Sequence, residues 1–501
     1  MPHVQASTIS LTGATLDAKA RELFASFPGL PHPDFVLDLE CALHALGRWW
    51  ADAIFASWLA FLLEHTDLEA RVIAARRADS SRELRHKGRR EVELRLLGGH
   101  CVRLAVAHLR PTRRYGRARG HGRRGRGKGH QPTPLLQALG FVRRASPALQ
   151  AQTLDLSASC ASVEAAREVA CRRGVRRCQE SWLKDLEAAS SLARLEFSSW
   201  LDEPGQDSPL AGTSAAGRRI VLGFDGGRMR ERVDKRGRKK ANGSRNFSTD
   251  WVEPRQLVVY AIDEQGKQDR SWGKLAHASL ETGKTLFSTI SKLFCAIELE
   301  KAACVIVAAD GQHWQWDWRR EALEGAGVQG AEIVEVLDMG HVLGRLSELS
   351  HLPAKWSPKC GARVGWYLKG KSLLKSGDID GLVSHCLTLA KGSRAKKVKS
   401  LTSYFQNHCE RMAYDAFERQ GIPTGSGAVE SMIRQVVNMR LKSCGKFWKR
   451  PNAERMLMLR SWWVVGRLED LWRFTLRQQA SWWKPSQDED SCALDYAALF
   501  S

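Results

Sequence analysis

RRIVLGFDGGRMRERV (218–233), AACVIVAADGQHW (302–314) and AEIVEVLDMGHVLGRLSELS (331–350) are the segments on which the fold turns. In the first, Ile220, Val221 and Leu222 form an apolar strand that runs out through Asp225 into Gly226-Gly227. In the second, Val305 to Ala309 make a short, β-branched strand that stops at Asp310. The third is a strand feeding a helix across Asp338. Continuous apolar runs of this length, bounded by glycine or acid, read as strands buried on both faces.

Working outward, PRQLVVYAIDEQGKQDRSWGKLAHA (254–278) reads as strand, turn at Gln265-Gly266, and strand, and ETGKTLFSTISKLFCAIELE (281–300) has helical spacing. Three antiparallel strands, a helix and two alternating β-α units are the order of a mixed α/β, ribonuclease-H-like core. Residues 218–350 are then its strand part, 351–420 a helical insertion and 421–484 its C-terminal helices, with an acidic tail at 485–501. A Pro/Gly/Ser-rich linker, DEPGQDSPLAGTSAAG (202–217), precedes the core.

Upstream, residues 1–109 read as mostly helical, with a packing helix rich in Trp49, Trp50, Trp58 and Phe61. EVELRLLGGHCVRLAVAHLRP (91–111) alternates around Gly98-Gly99 and predicts a hairpin. Residues 131–201 form a helical DNA-binding region. Within it, 157–186 reads either as a helix-turn-helix carrying Arg172, Arg173, Arg176 and Arg177 at its turn, or as a plain packing unit.

The chain has 501 residues with 77 Lys+Arg against 55 Asp+Glu, a formal charge of +22. Such a surplus points to a polyanion, first of all nucleic acid. Part of it lies in RPTRRYGRARGHGRRGRGKGH (110–130), which holds nine Lys/Arg, six Gly and no acid. This strap cannot bury a core, and it suits phosphate contact without base reading. A second basic run, RMRERVDKRGRKKANGSR (228–245), follows Asp225. No run of about 18 apolar residues predicts a membrane span, and the first residues predict no signal peptide. A soluble cytoplasmic protein is the expectation. The 12 cysteines include no Cys-x-x-Cys pair, so they read as reduced thiols rather than zinc ligands. Most of the 18 tryptophans read as core, with Trp448 the first candidate for stacking on an unpaired base.

An aspartate ending an apolar strand costs desolvation unless something positive meets it. Asp225 and Asp310 at one sheet edge therefore suggest a site for a divalent cation, Mg²⁺ or Mn²⁺, which take hard oxygen ligands. Either Asp-Gly pair alone reads better as a turn or helix cap, and it is two of them at strand ends in this order that favour the cation site. Glu430, on the first turns of the helix after Gly425-Ser426-Gly427, is the third acid, or a residue complementing that helix's dipole. Arg434 and Arg440 follow near enough to the same face to contact phosphates. Asp338 also ends an apolar strand, so on topology alone it could replace Asp310 as the second acid.

VLGFDGGRMRER, VAADGQHW, VLDMGHVLGRL and GIPTGSGAVESMIRQVVNMRLKSCGKFW, in this order, resemble DDE-type transposases of bacterial insertion sequences, most of all the ISKra-type group of the mutator-like superfamily. The resemblance covers residues 218 to about 465, and its most specific part is the Gly-Ser-Gly-x-Val-Glu-Ser block. It implies Asp225, Asp310 and Glu430 as catalytic, metal-holding acids, with Asp338 and His341 as an accessory pair. It implies a transposase that binds terminal inverted repeats and target DNA, cleaving and joining strands with about two metal ions. A homo-oligomer, at least a dimer, associated with the bacterial nucleoid is implied with it. The DNA-binding set is Arg113, Arg114, Arg117, Arg119, Arg123, Arg124, Arg126, Lys128, Arg228, Arg230, Lys239, Lys240, Arg434, Arg440 and Trp448. The competing readings are a ribonuclease-H-like nuclease without strand transfer and a domesticated DNA-binding protein without activity. Relatives often carry paired cysteines near the N-terminus, and this chain has none.

Overall fold

The chain divides into two units, Met1–Glu196 with Leu471–Ser501, and Phe197–Asp470. The computed structural model describes residues 3–4, 13–26, 33–64, 66–81, 83–111, 133–237, 245–311, 313–328, 332–352, 361–425 and 427–483. Residues 112–132 of the strap region, 238–244 of the second basic run and 484–501 of the tail lie outside them. Among the described residues no helix is long and apolar enough to cross a membrane, and the ten cysteines are free thiols.

In the first unit, β1 (His3–Val4), α1 (Gly13–Ala25), α2 (Pro33–Glu64) and α3 (Thr66–Asp79) precede an antiparallel hairpin of β2 (Leu84–Arg95) and β3 (Cys101–Pro111). The hairpin turns at Gly98-Gly99. Gly99 has φ +94°, and Asp52 of α2 accepts hydrogen bonds from the Gly98 and His100 amides at 3.0 and 3.2 Å. Leu59, Leu63, Val72, Leu94, Val102 and Phe141 form its core, and Trp49 and Trp58 pack against it. After α4 (Pro134–Ala138) come α5 (Pro147–Ser159) and α6 (Val163–Arg172). Ser146 and Ser162 cap α5 and α6, accepting from Leu149 N and Ala165 N at 3.3 and 3.0 Å, and Pro147 occupies the first turn of α5. Gly174, with φ +85°, follows the end of α6, and α7 (Gln179–Asp202) comes next.

The second unit is mixed α/β. Its five-stranded sheet has the order β10-β9-β4-β7-β8. Here β4 is Arg219–Gly226, β7 Arg255–Ile262, β8 Lys274–Ser279, β9 Cys304–Ala309 and β10 Glu332–Leu337. β4, β7 and β8 pair antiparallel, while β9 and β10 run parallel to β4. Between β4 and β7, β5 (Met229–Asp234) and β6 (Phe247–Val252) form a separate two-stranded ribbon. Leu257 and Val259 line one cavity wall with Leu293 and Phe294 of α8 (Lys284–Ala296), so α8 covers that face of the sheet. Every residue of β9 is buried, as its continuous apolar run predicts.

The helices α9 (His313–Gly325) and α10 (Met339–Ser350) follow β9 and β10. Then come α11 (Ala362–Lys375), α12 (Ile379–Leu387), α13 (Ala395–Asn407) and α14 (Tyr414–Arg419), with no strand among the described residues of 361–420. α15 (Gly427–Ile433) runs into a π-helical turn, Arg434–Asn438, before α16 (Arg450–Val464) and α17 (Leu468–Gln479). On α16, buried Glu454 accepts from Ser279 Oγ and Leu280 N at 3.0 and 2.8 Å, which ties that helix to the edge strand β8.

Candidate functional site

Strand register places the acids. β4 and β9 pair Gly223 with Ala308, and β9 and β10 pair Ala309 with Leu337. Continuing both registers brings Asp225, Asp310 and Asp338 level, one on each of three adjacent parallel strand ends. Residues level on neighbouring strands point to the same face and stand roughly 5 Å apart. All three acids therefore share the face that carries Gly223, opposite α8.

α15 lies on this face. A Cβ built on Gly223 would come 2.0 Å from a methyl of Val429, so the bare glycine backbone is what allows the helix to seat against β4. Glu430 is the next residue on that helix. The loop before α15 is pinned as well: Met339 N donates to the Thr424 carbonyl at 2.9 Å, and Arg219 to the Gln420 carbonyl at 2.8 Å. Asp338, only 2% exposed, caps α10 by accepting from His341 N at 2.8 Å. Its carboxylate also lies 3.3 Å from His341 Nδ1. Asp338, His341 and Glu430 each offer a ligand atom within 4.8 Å of the others, close enough to share one cation.

Asp310 sits at a constrained turn. Gly311 has φ +87°, and a Cβ there would lie 2.5 Å from Tyr404 Oη. Tyr404 of α13 donates to the Asp310 carbonyl at 3.1 Å, and the Arg345 guanidinium lies 3.9 Å from the centre of its ring. The Tyr404 hydroxyl is held above its usual pKa by burial, against the nearby Arg345.

Electrostatics couple the cluster. Burial pushes the Asp225 carboxyl up to about 6, and the charges of Asp310 and Glu430 push the same way; the Gly226 amide, donating at 2.6 Å, and His341 oppose them. His341 is raised in turn, chiefly by its hydrogen bond to Asp338 and then by the charges of Asp338, Asp310 and Asp225, against burial. A carboxyl whose pKa is raised by burial and by neighbouring acids, as that of Asp225 is, is poised to take up a cation or a proton.

The remaining sequence candidates separate. Arg228 and Arg434 are exposed. Arg230 lies over the Trp251 ring at 4.8 Å. Arg440 corrects the expectation of a phosphate contact: it is 3% exposed, its guanidinium 5.1 Å from the Trp448 ring centre, in the turn that follows the π-helical segment Arg434–Asn438. Trp448 is likewise engaged, its indole N–H donating to the Leu441 carbonyl at 3.2 Å and its backbone bridging to Glu231. Arg113, Arg114, Arg117, Arg119, Arg123, Arg124, Arg126, Lys128, Lys239 and Lys240 lie outside the described residues.

In the first unit, the arginines at the turn after α6 do not form one surface. Arg177 is buried against Asp185, while Arg172 and Arg173 line a cavity of about 630 Å³ with His44, Arg48 and Asp52. Sequence reading missed Gly223, Tyr404 and Trp251. For Gly223 the signal was present, since a glycine inside an apolar strand marks close approach of another backbone. Comparison with protein-family models, with curated proteins and with solved structures finds no match for the chain.

Proposed function

We propose that the chain is a DDE-type transposase of the ISKra-type group, built on a ribonuclease-H-like core. It would cleave DNA and transfer strands with divalent metal. The observation that carries this reading is the level row of Asp225, Asp310 and Asp338, with α15 bringing Glu430 onto the same face. The sheet order, with three antiparallel strands followed outward by two parallel ones, supports the core.

The donor set fits Mg²⁺ or Mn²⁺: hard carboxylate oxygens dominate it, and the burial that raises Asp225, with the neighbouring acid charges adding to it, is the condition a divalent cation relieves. Asp225, Asp310 and Glu430 would hold the metal, with Asp338 and His341 beside them. When bound, such ions neutralise charge on a phosphate under in-line attack and lower the pKa of the attacking hydroxyl. The chain's own residues pre-position the carboxylates: Gly223 seats α15, and Tyr404 fixes the Asp310 turn. The 4.8 Å grouping of Asp338, His341 and Glu430 favours a second assignment, in which Asp338 rather than Asp310 is the second acid.

Purified protein incubated with labelled element ends, target plasmid and Mg²⁺ separates the readings. Joined product is expected; cut product alone indicates a nuclease, and a mobility shift without cutting a DNA-binding protein. D225A, D310A and E430A are each expected to abolish cleavage while leaving DNA binding nearly intact. Full activity in D225A or E430A overturns the site, and an active D310A beside an inactive D338A moves the second acid to Asp338.

A further inference from the structure

The ribbon of β5 and β6 begins four residues after Asp225 and carries large rings on an outer face. Its register pairs Arg230 with Trp251, Arg232 with Thr249 and Asp234 with Phe247, so alternation sets these six side chains on one side. Trp251 is 54% exposed, Phe247 38% and, beside them, Phe447 36%. Guanidinium groups interleave with the rings. Arg230 lies 4.8 Å from the Trp251 centroid and 5.9 Å from that of Phe447, and Arg232 lies 4.3 Å from that of Phe247. The Phe247 and Phe447 centroids are 5.5 Å apart.

A free two-stranded ribbon is marginal in water. This one is braced: Arg232 N donates to the Trp448 carbonyl at 2.8 Å and Trp448 N to the Arg230 carbonyl at 3.1 Å. The same brace fixes Phe447 next to the ribbon. Asp234 on the aromatic side is bound by Lys449 and Arg232 at 2.7 and 2.8 Å, while Glu231 and Asp250 pair on the opposite side. Three solvent-facing rings on a held scaffold offer π-faces, and the arginines between them offer cations.

We propose that this face is a stacking platform for unpaired nucleotides of a DNA strand, with Trp251 its most exposed ring. Bases stack on aromatic faces regardless of sequence, and guanidinium groups between the rings suit the phosphates linking them. Charge selects this occupant over a protein surface: residues 228–253, which span both strands, carry nine Lys/Arg and four acids. The proposal rests on the reading of the chain as a DNA-processing protein and names the strand it holds.

The test is fluorescence anisotropy of the full chain in chelator, with labelled oligothymidylate and a duplex of equal length. W251A is expected to weaken oligothymidylate binding about tenfold and duplex binding by less than about twofold, with W251Y restoring most of the loss. Circular dichroism melts of all three proteins show whether the fold is intact. Unchanged single-strand affinity, or equal loss on both DNAs, overturns the platform; so does a change of oligomeric state in W251A on sedimentation, which assigns the patch to a second copy. Because no metal is present, the failure of cleavage chemistry and the failure of the platform are read separately.

Discussion

Asp185 and Asp225 are both carboxylates taken out of bulk water, one in each unit, and their surroundings are opposite. Asp185 is fully buried and meets three guanidinium groups: Arg95 at 2.8 Å, Arg143 at 3.5 Å and Arg177 in direct contact. Burial, with Arg95 and Arg143 nearby, pulls Arg177 down to about 10. Asp225 instead shares its face with Asp310 and Glu430, whose charges add to the effect of burial and raise its pKa. A charge neutralised inside the fold holds structure together. A charge crowded by others of its own sign is a standing demand for a partner from outside.

Breaking the first arrangement has the largest expected effect on stability. D185A leaves buried arginines without their shared anion and is expected to cost about 3–5 kcal/mol, measured by urea denaturation. A loss below about 1 kcal/mol contradicts the structural role of the network.

The second arrangement responds with the other sign. Asp225 in the fold has a pKa above its ordinary value of 3.8, so folding favours its protonated form. The fold then loses stability as pH rises from about 4 to about 6, and carries the full penalty at pH 7. D225N removes that penalty and is expected to be roughly 2 kcal/mol more stable than the native chain at pH 7 in chelator, the gap closing below pH 4. Mg²⁺ should raise the melting temperature of the native chain and not of D225N. A D225N chain less stable than the native one at pH 7 places Asp225 in the same class as Asp185.

The seating of Glu430 tests how far the cluster depends on packing. G223A drives a methyl group into Val429 and is expected to cost about 1–3 kcal/mol and to weaken metal binding by calorimetry, with V429A in the same chain restoring much of both. Independent, additive effects of the two substitutions remove α15 from this role. The smallest stability change is expected from deleting residues 112–129: within about 0.5 kcal/mol, but with a flatter dependence of DNA affinity on salt across all sequences.

The strands were legible wherever the chain is apolar without interruption. Val305 to Ala309 read as a buried strand, and β9 stands there. The turn at Gln265-Gly266 and the helix over 281–300 have their counterparts between β7 and β8 and in α8. What lies between sequence-distant segments was not legible. Asp225 and Asp310 are level because β4 and β9 pair with an offset of 85 residues, the difference between Arg219 and Cys304, and no local pattern encodes that offset. Arg440 read as a surface cation because it is an arginine close in sequence to Arg434, but the regular helix gives way to a π-helical segment and a turn, and Arg440 is buried.

The residues by themselves determined the kinds of element, the strand-end acids and the concentration of positive charge, since hydrophobic period, glycine placement and charge count are local properties of the chain. Tertiary structure alone decided which acids face one another, which arginines are buried and which tryptophan meets solvent. Those outcomes depend on register and close approach between segments up to about 200 residues apart, from Gly223 to Val429, and only packing in three dimensions sets them.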